Sequence, residues 1–331
     1  MGVGRRDASK TATAELKEKL SIKLRELVRE LVRAVTRRTV TRAEPKQDSK
    51  PVPLAPIRRL ILTDAVSRTL FGEFASHRNS DRGKEETGWD LMGVRQGDTA
   101  VVMATLPAGE GRDADEAHVF FNHAAQAFAS RYIRQEFRQL RMLGVAHTHP
   151  GSLRHPSSGD YRGDIAWVAN LKGGEGVFAI GTADAKPTSD VGVAWQPAQN
   201  VQCLGELCLS WYVLGKDDRN YRPIPVELTI GPDLAEELRP VWHELETHAE
   251  RLDRIARQLS RVKFEVTPGH QKSALTMTVP MLEDGSAIRV ELEGKAVRYR
   301  LVKKEGTLAA DLHEDRVDVG VFLMLSELAA R

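Results

Sequence analysis

The sequence predicts an α/β protein: a body built on a mixed β-sheet, a smaller α+β unit towards the C-terminus, and an N-terminal helix. Three observations predict it. Between residues 57 and 232, short apolar runs alternate with longer runs of helical period, the pattern of strands joined by packed helices. Beyond residue 261, strand-like runs at 263–267, 274–281, 286–292 and 296–303 precede a helical run at 318–330. Before the body, Leu16, Leu20, Leu24, Leu27, Leu31 and Val35 recur at spacings of 4, 4, 3, 4 and 4, which puts them on one helix face.

The elements follow in order. Residues 1–44 read as a basic amphipathic helix, with Arg25, Arg29 and Arg33 on a second face and Glu26 and Glu30 among them. Pro45, Pro51, Pro53 and Pro56 mark a linker over 45–56. Leu60 to Leu62 is a short strand, after which Thr63 or Asp64 can cap a helix over 64–77. Residues 89–94 and 99–106 form a hairpin turning at Gln96-Gly97-Asp98, and 107–117 is a Gly/Asp/Glu-rich loop. A helix over 122–140, a strand over 144–149, a helix over 160–170 and a strand over 176–181 come next. Residues 182–200 read as polar loop, and 204–214 and 224–230 as strands. Asp233 is expected to cap a connecting helix over 233–260 that Pro240 can kink. Residues 261–331 form the accessory unit.

Composition bounds the function. With 331 residues, 41% hydrophobic and 28% charged, the chain suits two folded units plus a tail, not a disordered or fibrous protein. No apolar run approaches the ~20 residues that span a bilayer. No apolar stretch follows the basic start Met1 to Arg6, which argues against a secretory signal. Two cysteines, Cys203 and Cys208, exclude a disulfide scaffold and fit a reducing cytoplasm. The net charge of +2 hides an asymmetry: residues 1–50 carry 14 Lys/Arg against 7 Asp/Glu, the remainder 34 against 39. The basic segment suits an acidic partner surface. Its interleaved Glu and its lack of aromatics argue against nucleic acid.

The stretch from His147 to Asp160 carries the chemistry. A strand has period two, so His147 and His149 face the same side. Asp160 can return across the intervening loop at the start of the next helix. Two imidazoles and one carboxylate make three protein ligands, and three ligands with an open fourth position describe catalytic zinc. The cysteines lie too far off in sequence to close such a site.

These residues resemble the motif of the JAMM/MPN+ metalloproteases: His147, Thr148, His149 and Pro150, then Ser157 and Asp160, with an upstream glutamate. Glu86 and Gly93 fill the glutamate and glycine positions of that upstream segment. Trp89 and Asp90 depart from the glycine and apolar residue usual there, and Glu85 is the alternative glutamate, one residue out of register. The resemblance covers residues 57–232 and implies an MPN/JAB domain, a three-layer fold like that of cytidine deaminases. It implies that His147, His149 and Asp160 bind Zn²⁺, that Glu86 moves the proton of the metal-bound water, and that Ser157 donates to the oxyanion. It also implies an isopeptidase acting on the tail of a ubiquitin-like protein. The high Arg and Ala content points to a bacterial conjugation pathway, with activating and conjugating enzymes as further partners. Three rivals stand beside it: a peptidase of the same fold acting on sulfur-carrier fusions or small peptides, a non-catalytic MPN scaffold, and a nucleic-acid-associated member of the wider fold.

The remaining histidines read as ordinary. His155 is a substrate-side or solvent-facing loop residue, His118 and His123 flank a helix start, and His243 and His248 ride the long helix. Trp89 reads as a core aromatic before a groove residue.

Overall fold

The computed structural model describes residues 54–186, 194–281 and 285–330. The expected helix over 1–44 and most of the 45–56 linker lie outside the described residues.

A mixed sheet organises the body. Its central strands are β1 (Arg59–Thr63), β2 (Gly88–Gln96) and β3 (Thr99–Pro107), followed after a two-stranded excursion, β4 (Asp113–Ala114) and β5 (Val119–Phe120), by β6 (Arg141–Thr148) and β7 (Glu175–Thr182). Strands β8 (Ala194–Ala198), β9 (Val201–Leu204), β10 (Leu207–Gly215), β11 (Arg222–Pro223) and β12 (Val226–Thr229) complete it. The order is β12-β1-β3-β2-β6-β7-β10-β9-β8, with β11 on β10. β2 is antiparallel to both β3 and β6, whereas β6 and β7 run parallel. A parallel pair needs a crossover, and α3 (Ser158–Val168) supplies it.

Strand alternation divides the side chains between two faces. Leu91, Val102, Val177 and Val213 join Val66, Leu70 and Phe74 of α1 (Asp64–Arg78) in one core. Their neighbours Met92 and Met103 join Phe128 and Ile133 of α2 (His123–Glu136) in another. Phe178 and Leu214 pack with Val168 of α3 on that second face. The body is therefore three-layered, as expected. Thr63 caps α1, accepting from Val66 N at 3.4 Å.

Four local expectations are corrected. The 107–117 loop contains β4, and the single strand expected over 204–214 is the hairpin of β9 and β10. Residues 182–200 are not all loop, because Ala194–Ala198 adds the edge strand β8. Asp233 does not cap the connecting helix. Its carboxylate accepts from Thr105 N and Oγ1 on β3 at 3.1 and 2.6 Å and from Ala235 N at 3.0 Å. A 3₁₀ helix over Glu236–Val241, which accommodates Pro240, leads into α4 (Trp242–Gln258).

Beyond α4, β13 (Lys263–Pro268), β14 (Ser273–Pro280), β15 (Ala287–Glu293), β16 (Ala296–Lys303) and β17 (Gly306–Ala309) form an antiparallel meander, followed by α5 (Val317–Ala329). This sheet shares a core with the body: Phe264 meets Phe128 edge-on at 4.7 Å, and Leu275 and Met277 join Leu238, Leu245 and Leu252. Among the described residues no helix is long and apolar enough to cross a membrane.

One glycine of the upstream motif has a steric reason. Gly93 sits at the β-bulge of β2, and a Cβ built there would stand 1.9 Å from Val101 O. A main-chain oxygen in a paired strand cannot retreat that far. Gly93→Ala is therefore expected to lower unfolding free energy by about 3 kcal/mol. Urea denaturation measures it, and a change below about 0.5 kcal/mol would contradict the packing argument.

Candidate metal centre

The site forms where β6 ends. His147 is paired with Gly88 of β2 and Ile180 of β7, so it is held on both sides. The strand direction continues through His149, whose N–H donates to Gly181 O at 2.8 Å. As the period of two requires, the imidazoles converge, with Nε2 atoms 3.2 Å apart. His149 Nδ1 lies 2.8 Å from Leu153 O. A carbonyl only accepts, so Nδ1 carries the proton and Nε2 presents a lone pair.

Asp160 returns in the first turn of α3. Its Oδ1 is 3.3 Å from His147 Nε2 and its Oδ2 is 3.3 Å from His149 Nε2. Its placement is local chemistry. Ser157 is the N-cap of α3, and its hydroxyl oxygen accepts from Gly159 N and Asp160 N, both at 3.1 Å. The Asp160 carboxylate accepts in turn from Ser157 N at 2.5 Å. Ser157-x-x-Asp160 is thus a capping box, and it aims the carboxylate at the imidazoles. That signature is legible in the sequence, yet the motif reading passed over it.

Glu86 lies just before β2, and it is buried, 4% exposed. A ligand atom of Glu86, one of His147 and one of His149 all lie within 4.8 Å of one another. Glu85 points elsewhere, to Arg82 at 2.6 Å. The register thus brings Glu86, and not Glu85, to His147 and His149.

The electrostatics suit a cation. Burial raises the Glu86 carboxyl above its ordinary range, and the two imidazoles pull it part of the way back. Burial works against charge at Asp160 too, but the hydrogen bond and charge of His147 and the hydrogen bond from Ser157 N hold its carboxyl far below the usual value. Burial opposes charge on His147 as well, yet the Asp160 hydrogen bond and charge win and raise its pKa. The geometry also fits a metal. With bonds of about 2.0–2.1 Å, tetrahedral zinc has ligand–ligand edges of roughly 3.3–3.4 Å, close to the 3.2 Å between the two Nε2 atoms.

Residues 67–197 match the family model described as prokaryotic homologs of the JAB domain. This segment is similar to a JAB domain. It spans Glu86, His147, His149, Ser157 and Asp160 together. The solution structure of protein DSY2949 from Desulfitobacterium hafniense is among the similar structures, at 19% identity and a TM-score of 0.35, covering 52% of this chain and 94% of that one. A search of curated proteins returned no match.

Other residues in and near this segment take quieter places. Trp89 is core, 1% exposed, and its Nε1 donates to Glu73. Asp90 is enclosed on β2, and burial pushes its carboxyl up to about 7. Burial likewise raises Asp164 of α3 to about 6, against the hydrogen bond it accepts from Tyr221 OH at 2.7 Å. His155 and His123 are exposed, His118 pairs with Asp115 at 2.8 Å, and on α4 His243 is exposed and His248 buried. The carbonyl of Leu153, which orients His149, carried no sequence signal, because any residue type offers one.

The double role of Ser157 makes a test. Ser157→Ala is expected to cost about 1 kcal/mol of stability through the lost cap. It should also weaken divalent-metal binding by roughly 10–100-fold, because Asp160 loses its support. A chelator competition titration reads the second effect. Unchanged affinity would mean that the cap does not aim Asp160.

Proposed function

We propose that this chain is a zinc-dependent peptidase or isopeptidase that cuts after the C-terminal tail of a ubiquitin-like modifier, within a bacterial conjugation pathway. The observation that carries the reading is the buried convergence of Glu86, His147 and His149, with Asp160 straddling the two imidazoles. Two nitrogens and a carboxylate, without a thiolate, form a donor set that suits catalytic zinc. Bound there, zinc would supply an acidified water and polarise the scissile carbonyl. Glu86, enclosed and raised in pKa by burial, holds and delivers a proton at its carboxylate. The Ser157 hydroxyl oxygen is occupied by two N–H groups, which leaves its O–H to donate to a developing oxyanion.

Access favours a narrow substrate. Glu86, His147 and His149 are 4%, 9% and 7% exposed, so a bulky side chain beside the scissile bond would hold the carbonyl away from them. An extended tail ending in glycine meets that limit, and its backbone can hydrogen-bond along a strand edge.

The test incubates purified full-length protein with ubiquitin-like fusions, with and without a zinc chelator. Cleavage after the terminal glycine is expected, abolished by chelation and restored by zinc. No cleavage of any fusion by zinc-loaded protein would overturn the proposal.

A further inference from the structure

The two peptide groups that flank the Cα of Glu86 are bonded at all four of their polar atoms. Glu86 N donates to Asp115 O at 2.7 Å, and Thr87 N donates to Thr148 Oγ1 at 3.0 Å. Glu85 O accepts from His77 Nε2 at 2.9 Å, and Glu86 O accepts from Arg112 Nε at 3.3 Å. Glu86 precedes β2, so its carbonyl relies on a side chain for a partner.

The two side chains that serve these carbonyls also touch each other. Arg112 Nη2 and His77 Nδ1 are 3.3 Å apart. Arginine has only donors, so His77 Nδ1 accepts and its proton sits on Nε2, the atom that donates to Glu85 O. Burial lowers the His77 pKa against the hydrogen bond to Glu85 O, and the Arg112 charge adds to the lowering. Arg112 Nη1 donates to Gly109 O at 2.8 Å, which fastens the loop before β4 to the same point.

Arg112 is placed at a cost. Its side chain is 4% exposed, and its carboxylate contact is long, 3.9 Å to Glu85, which Arg82 already holds at 2.6 Å. A buried guanidinium without a close carboxylate is expensive. Its N–H groups go instead to the carbonyls of Glu86 and Gly109 and to the His77 imidazole.

We propose that Arg112, bonded to Glu86 O and braced by His77, is the positioning residue that fixes the direction of the Glu86 carboxylate towards His147 and His149. This rests on the peptidase reading above. Fixing both peptide planes fixes the Cα–Cβ direction, and without it the carboxylate can swing by about 1 Å, a displacement that costs on the order of 10²-fold in rate.

The test uses the full chain in four variants: Arg112→Ala, Arg112→Lys, Glu86→Gln, and Arg112→Ala with Glu86→Gln. Zinc-loaded protein is assayed on a fluorogenic peptide ending in Gly-Gly. Cobalt-loaded protein is titrated by its visible spectrum from about pH 5 to 9, which follows ionisation of the metal-bound water. Arg112→Ala should keep its metal, lose roughly 10²-fold in kcat at unchanged KM, and cost nothing further in the Glu86→Gln background. Arg112→Lys, with one carbonyl within reach, should fall between. The cobalt titration of Arg112→Ala should match that of Glu86→Gln. Equal losses in both backgrounds, loss of cobalt, or a cobalt titration like that of the unsubstituted chain would overturn the proposal. If Arg112→Ala does not fold, Arg112→Lys is judged by the same titration. If the unsubstituted chain cleaves nothing, the peptidase reading falls, and the cobalt titration alone decides the role of Arg112.

Discussion

Glu86→Gln is expected to keep its bound metal and to lose roughly 10²–10⁴-fold in turnover. The amide has the shape of the carboxyl group but cannot take up and release a proton. The position is enclosed, so solvent cannot substitute for the lost base. His147→Ala should behave differently and lose metal and turnover together, because its Nε2 faces both His149 and Asp160. Glu85→Gln should lose far less, since that carboxylate is directed at Arg82. Elemental analysis with kcat on the same preparations separates the three. Full activity in Glu86→Gln would remove the proton-transfer role, and loss of its metal would make Glu86 a ligand.

Ending the chain at residue 260 is expected to abolish cooperative folding of the α2–α4 side of the body. Phe264, Leu275 and Met277 lie in one core with Phe128, Leu238, Leu245 and Leu252, so the cut passes through packed side chains. The single change Phe264→Ala, which removes the ring edge-on to Phe128, is expected to cost about 3–5 kcal/mol. That is a large part of the roughly 5–15 kcal/mol that holds a domain folded. Circular dichroism and thermal melting check both variants. A truncated protein that melts cooperatively at the original temperature would show that the shared core contributes little. Because the unit is built into the core, point substitutions on its surface, rather than its removal, should be used to test whether it binds substrate.

Much of the candidate metal site is local in the sequence and was legible there. His147 and His149 share a side because a strand alternates, and Asp160 returns because Ser157-x-x-Asp160 starts a helix. Glu86 and Glu85 could not be separated with the same certainty. A strand shifted by one residue presents the opposite face, and the distinction depends on the pairing of Gly88 with His147. The strands of the C-terminal unit were also legible from their alternation, but the partner of their apolar face was not.

The sequence by itself determined the α/β class, the main helices and central strands of the body, and the histidine–aspartate half of the site. These follow from periodicities and caps that act over a few residues. Only the tertiary structure decided which glutamate faces the histidines, what holds it there, and that the C-terminal sheet closes the core over α2 and α4. Each of those depends on contacts between distant segments, such as Arg112 with Glu86 and Phe264 with Phe128. Local propensity says which element forms, but long-range burial and hydrogen bonding say which faces meet.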